Sequence, residues 1–172
     1  MNVMWIKIAI IVAAFLAICY YCSKPMTKKT LPEIDYILVE KQKHKMTVYS
    51  QNIPLKTYDI SLGFNPLGHK EKKGDGKTPE GIYKIINKNP KNGYHLSLRV
   101  SYPNEKDKKN AAKKGLSPGG DIMVHGIKNG FGWIKKLHTY KDWTLGCIAV
   151  TNSEIEEIYP SVVIGAKIEI VP

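Results

Sequence analysis

A chain of 172 residues, 43% hydrophobic and 24% charged, is long enough for one ordinary domain with a full core and too short for several. Its net charge of +11 favours anionic partners, such as membrane headgroups or the acidic polymers of a cell wall. It does not favour nucleic acid: the lysines are scattered, Arg99 is the sole arginine, and no interleaved aromatic motif accompanies them.

In chain order, the first feature is Ile8–Cys22, a stretch without charge, preceded by Lys7 and followed by Lys24, Lys28 and Lys29. About 15 apolar residues suit the core of a signal peptide or a short membrane anchor. Residues 1–23 are therefore expected to be one or the other, and the rest of the chain to act in the cell envelope, in the periplasm or tethered to the inner membrane. Cys19 and Cys22 have redox-motif spacing but lie inside this segment and read as membrane residues. Residues 24–33, with Pro25, Pro32 and a lysine cluster, read as a linker, and 34–172 as the domain.

Within the domain, strands dominate. DYILVEK (35–41) and KMTVYS (45–50) read as a hairpin about a polar turn at Gln42–His44. LKTYDISLG (55–63) reads as the next strand, and TPEGIYKIINK (78–88) contains another. YHLSLRVSY (94–102), DIMVHGI (121–127) and VVIGAKIEIV (162–171) complete the set. Helices are few: a polar surface helix within 104–114, one or two turns within 130–140, and a helix over 153–159. The last is expected to start from a capping box of Ser153 with Glu156. The fold class is mainly β with one or two short helices.

Outside the apolar segment the single cysteine is Cys147, in the string DWTLGCIAVTN (142–152). Exported domains usually pair their cysteines or lack them, so a lone thiol is a candidate nucleophile. Gly146 before it permits a tight turn that presents the sulfur, and the Gly146 and Cys147 amides can point at a developing oxyanion. A thiol needs a base, and His125, at the end of the apolar run DIMV, is the best partner. The bland alternative is a buried structural cysteine beside a packed histidine. Trp133, Trp143 and Tyr140 are either core or a wall of the cleft. His44, His95 and His138 read as surface or structural residues. No pair of the five histidines has metal-ligand spacing, so neither a metal nor a cofactor is expected. The glycine-rich string KKGDGKTPEGIY (72–83) lacks the elements of a P-loop and reads as a turn before a strand, as does SPGGD (117–121).

Three strings in this order resemble the L,D-transpeptidase catalytic domain: GDGKTPEGIY (74–83), the HG pair His125–Gly126, and T-x-G-C-I-x-V-x-N over Thr144–Asn152. The resemblance runs from about residue 35 to the C-terminus. It implies a β-sandwich-like domain holding the cysteine in a cleft. It implies attack on the bond between L- and D-centres in peptidoglycan stem peptides, a thioester acyl-enzyme, loss of D-alanine, and transfer to an amine of a second stem peptide or of an envelope protein. Carried onto this chain, Cys147 is the nucleophile and His125 the base and acid. Gly146, Thr144 and Gly126 support the oxyanion and the turn. Asp142, Trp143 and Asn152 are candidate substrate contacts. Family members often carry Ser-His-Gly-Cys and then an arginine two residues on; here Leu145 and Ala149 replace that histidine and arginine, so recognition near the thiol is expected to differ. With SYPNEKD (101–107) and SPGGDIMVHG (117–126), the string DWTLGCIAV resembles a distinct Gram-negative branch, some of whose members hydrolyse such links rather than form them. An amidase with water as acceptor is the alternative function.

Overall fold

The computed structural model describes residues 30–172 together with Val12, Ala13, Ala14, Leu16 and Tyr20. Apart from these five, the expected signal peptide or anchor at 1–23 lies outside the described residues, as does most of the linker at 24–33. Among the described residues no helix is long and apolar enough to cross a membrane.

Eight strands follow one another as β1 (Ile34–Glu40), β2 (Lys45–Ser50), β3 (Ile53–Asp59), β4 (Gly81–Asn92), β5 (His95–Val100), β6 (Met123–His125), β7 (Ile148–Ala149) and β8 (Val162–Val171). Their spatial order is β3-β2-β1-β8-β4-β5-β6-β7. The alternation in IDYILVE places Ile37 and Val39 in the core, with β1 antiparallel to β2 and parallel to β8. β4 serves both halves of the sheet. Its first residues, Gly81–Lys84, pair with β8, and from Ile85 onward it pairs with β5, with a register shift between Ile85 and Asn87. That irregularity bends the strand and lets the sheet curl over one core of Ile, Val and Leu. The mainly β fold class expected from the sequence is the one observed.

Among the described residues of 30–172, two α-helices flank the sheet. α1 (Glu105–Lys113) starts from a capping box of Asn104 with Asp107. α2 (Asn152–Ser161) starts from Thr151 with Glu154, not from Ser153 with Glu156. Thr151 is still extended (φ −68°, ψ 161°) as the chain leaves β7, so its hydroxyl meets the Glu154 N–H and the helix begins earlier than expected. Ile155 and Ile158 on α2 are fully buried, and the helix packs against β5 and β6. Residues 132–140 form two short 3-10 turns broken at Lys135 (φ 46°). The expected strand over 55–63 stops at Asp59. Beyond it, Ser61 bridges to Ala149 and Gly63 to Thr144, which brings the 60–63 segment beside the cysteine string.

Candidate active site

The turn that carries Cys147 rests on backbone rather than on side chains. Gly146 has φ 127°, and a Cβ there would come within 2.5 Å of the Lys77 carbonyl oxygen. Gly63 packs against the same place, where a Cβ would overlap the Gly76 carbonyl and approach the Gly146 Cα. The Gly63 N–H donates to Thr78 Oγ1 at 3.0 Å. The string 74–83, expected as a turn before a strand, is thus the floor beneath the cysteine turn. Asp75 holds that floor together by accepting from Lys70 Nζ at 2.7 Å and from the N–H groups of Glu71, Lys72 and Lys77. Burial pushes its carboxyl up, but the lysine and the three amides outweigh burial and hold it at about 2. Buried Lys41, at the end of β1, ties in the far side of the loop through Gly68 O, Thr78 O and Glu80.

Thr144 spans the turn. Its Oγ1 donates to the Cys147 carbonyl at 2.8 Å and accepts from the Gly146 N–H at 3.1 Å. The Gly146 amide, expected as an oxyanion donor, is therefore already engaged. Among the described residues no acceptor takes the Cys147 N–H.

β6 and β7 pair in parallel, Val124 opposite Ile148 and His125 opposite Ala149. Because side chains alternate along a strand, Val124 and Ile148 point into the core while Cys147 and His125 share the opposite face. Both line one cleft of about 260 Å³, with Tyr94, Gly120, Asp121, Met123, Trp143 and Leu145 among its walls. The His125 ring lies 4.5 Å from the Tyr94 ring and 5.8 Å from that of Trp143, centroid to centroid. His125 Nδ1 lies 2.6 Å from the Gly126 carbonyl oxygen. A carbonyl only accepts, so Nδ1 carries the proton and Nε2 keeps its lone pair. Burial drops the His125 pKa to about 4, with the Gly126 carbonyl opposing that shift. Burial likewise pushes the Cys147 thiol above its ordinary value, offset in part by the Met123 amide. At neutral pH the pair is a thiol and a neutral imidazole, and the arrangement can move a proton from sulfur to Nε2 as a bond forms at sulfur.

The other candidate residues divide sharply. Trp143 lines the cleft. Asp142 does not: its carboxylate accepts from the Leu62 N–H at 2.7 Å and meets His44 Nε2 at 2.9 Å, fastening the string to the β1–β2 turn. Asn152 also lies outside the lining; its Oδ1 accepts from the Ile127 N–H at 2.8 Å and ties α2 to the segment after His125. Gly126 sits where a Cβ would meet Asn152 Oδ1 at 2.8 Å and Ile155 Cγ2 at 3.1 Å. His138 is buried, with Nδ1 3.2 Å from Ser61 Oγ and its carbonyl accepting from that hydroxyl at 2.7 Å. Two cleft residues carried no sequence signal of their own. Tyr94 reads as the start of a strand, and Asp121, whose carbonyl lies 3.5 Å from Cys147 Sγ, reads as the end of a turn. Among the described residues no group of His, Cys, Asp and Glu could hold a metal ion.

The YkuD family, described as the L,D-transpeptidase catalytic domain, matches residues 34–170. The putative L,D-transpeptidase YafK of Escherichia coli K12 is 26% identical over 143 residues, which cover 80% of this chain and 50% of YafK. The chain thus spans about half the length of the curated relatives it matches. Among solved structures, the helical cell shape determining protein Pgp2 of Campylobacter jejuni superposes with a TM-score of 0.61 at 26% identity, covering 81% of this chain and 48% of Pgp2. Bd1075 of Bdellovibrio bacteriovorus gives 0.57 at 25%, covering 81% and 48% of the two chains. An L,D-transpeptidase of Mycobacterium smegmatis, at 17% identity and a TM-score of 0.54 over 80% of this chain and 58% of its own, shares the fold. With about four-fifths of its length under the family profile and its cysteine and histidine in one cleft, this chain belongs to the L,D-transpeptidase catalytic domain family.

Proposed function

We propose that the protein is a cysteine-dependent L,D-transpeptidase that acts on peptidoglycan stem peptides in the cell envelope, in crosslinking or remodelling the wall. The observation that carries this reading is the pairing of Cys147 and His125 on one face of β6 and β7, with the histidine tautomer fixed by Gly126. Membership of the family supports the substrate class. The likeness to Pgp2, a helical cell shape determining protein, makes cell shape the phenotype to examine.

The reaction runs in two transfers. As the donor carbonyl reaches the sulfur, His125 Nε2 takes the thiol proton and the S–C bond forms. The oxyanion of the tetrahedral intermediate faces the Cys147 N–H, and Thr144 keeps the turn in shape by bonding both its ends. Collapse breaks the C–N bond, and the imidazolium gives its proton to the departing D-alanine amine. An acceptor amine then surrenders a proton to Nε2 and attacks the thioester, freeing the thiol. The acceptor is an amine of a second stem peptide or of an envelope protein. A second reading, hydrolysis by water at the same thioester, draws on the open edge of the cleft, where Leu145 is 73% exposed. The N-terminal apolar segment serves on either reading as an export signal or an anchor to the inner membrane.

The test is to incubate the protein with disaccharide tetrapeptide and follow products and intact mass beside Cys147→Ala. An adduct on the parent, D-alanine release and a crosslinked dimer are expected for transpeptidation. Release of D-alanine with tripeptide alone means hydrolysis. Turnover retained in Cys147→Ala would sink the mechanism.

A further inference from the structure

We infer that Arg99 is the specificity-determining residue of this site, reading the free carboxylate of the donor peptide's terminal residue. The inference rests on the proposed stem-peptide substrate and goes beyond it by naming the group that is read.

Arg99 is placed for the task by strand register. It lies opposite Met123, and Ser97 lies opposite His125, in the antiparallel pairing of β5 with β6. Directly opposed residues project from the same face of a sheet. Met123 and His125 both line the cleft, so Arg99 stands on the cleft's face. Its Nη2 donates to Asp121 Oδ1 at 2.7 Å. Asp121 itself lines the cleft, and its carbonyl oxygen is 3.5 Å from Cys147 Sγ. One residue therefore links the reacting sulfur to the guanidinium.

Asp121 is an odd residue to find there on grounds of stability. Its φ of 57° lies in the left-handed region, which is unfavourable without a glycine, and its side chain is 74% exposed. An ion pair with partners this exposed, 50% for Arg99, adds little to folding. The conformation is imposed by its neighbours. The Val100 N–H donates to the Ile122 carbonyl at 2.9 Å, the Lys73 N–H to Ser117 O at 2.8 Å, and Tyr102 Oη to Pro118 O at 3.0 Å. The turn 117–121 is thus clamped so that Asp121 presents its carbonyl to the sulfur and its carboxylate to Arg99.

A terminal carboxylate lies one residue beyond the attacked carbonyl, about 4 Å away. Asp121 spans a comparable gap between its own carbonyl and its own carboxylate. Asp121 engages only one nitrogen of the guanidinium, and a fork with a free edge binds a carboxylate through two parallel N–H bonds. Lys70, whose charge favours the Cys147 thiolate, is buried and paired with Asp75, so it is not free for this role.

The experiment measures binding to the Cys147→Ala chain, which does not turn over. Tetrapeptide with a free terminal carboxylate is compared by calorimetry with the same peptide amidated at that end. The free acid should bind at least tenfold more tightly. In Arg99→Met the ratio should fall to near one, and in Arg99→Lys, which keeps the charge but not the fork, it should lie between. Because Arg99 is half exposed, the thermal midpoint of Arg99→Met should match the parent, and a purely structural role would shift both peptides alike. Equal binding of acid and amide by the parent, or an unchanged ratio in Arg99→Met, overturns the inference alone. Failure of both peptides to bind, together with no adduct on the parent, overturns the stem-peptide reading and this inference with it.

Discussion

The floor of the cysteine turn and the segment that joins β6 to β7 are built on opposite plans. Beneath the turn, Gly63, Gly76 and Gly146 bring three backbone segments into contact, and Thr78 and Thr144 are buried with their hydroxyls committed. By contrast, the segment that joins β6 to β7 leaves two of its large side chains in solvent: Trp133 is 73% and Tyr140 86% accessible. Between Asp121 and Asp142 that stretch has no acidic residue and carries Lys128, Lys135, Lys136 and Lys141. The floor fixes where the sulfur stands, and the exposed segment leaves these side chains unpacked. Placement of a reacting atom needs rigidity, whereas recognition of a large substrate needs surface.

Substitutions test this contrast, beginning where the effect is largest. Gly146→Ala forces a Cβ against the Lys77 carbonyl at a backbone angle that alanine tolerates poorly. It should cost about 3 kcal/mol, lower the melting temperature by roughly 10 °C, and reduce turnover far more than the stability loss explains. Thermal unfolding beside single-turnover kinetics measures both; a folded and fully active Gly146→Ala would show the floor to be dispensable. His125→Ala should lower kcat/KM by a factor of about 10² or more with the fold intact, as expected for a lost base.

The pH dependence comes next. The folded pKa of His125, about 4, lies below the ordinary 6.5, so the unfolded chain takes up the proton first. Stability from this group is intact above pH 6.5 and is lost as pH falls from there toward 4. The acid limb of kcat/KM should likewise lie near pH 4, and an acid limb near 6.5 would mean that the histidine is not buried in the working enzyme. Smallest is the exposed segment: Tyr140→Ala and Trp133→Ala should change stability by no more than about 0.5 kcal/mol, since neither side chain is packed. A denaturant midpoint shifted well beyond that would place these residues in the core instead.

Much of this was legible from local pattern. The hairpin about Gln42–His44, the strand of Arg99 and the strand of His125 follow from alternation, and the Gly146–Cys147 turn from a glycine before a lone thiol. What escaped was decided by partners far along the chain. Asp142 looks like a substrate contact beside Trp143, yet it meets His44, 98 residues away, and nothing near Asp142 records that. Thr151 and Ser153 are equally good caps by type; the exit of β7 chose between them. Leu62 and Gly63 look like the end of a strand because their apolar character serves the cysteine string and not a ladder.

The position of β8 bears on the order of events in folding. Of the described strands it lies furthest along the chain, yet it is one of the most central and alone joins β1 to β4. Without it, β1–β3 form a meander with an open edge, and the half carrying Cys147 and His125 meets that meander through the 60–63 segment and Asp142 rather than through the sheet. Closing a loop of more than a hundred residues is slow and comes late in folding. Pairing of residues 162–171 is therefore the step that joins the two halves of the sheet and completes the scaffold behind the thiol.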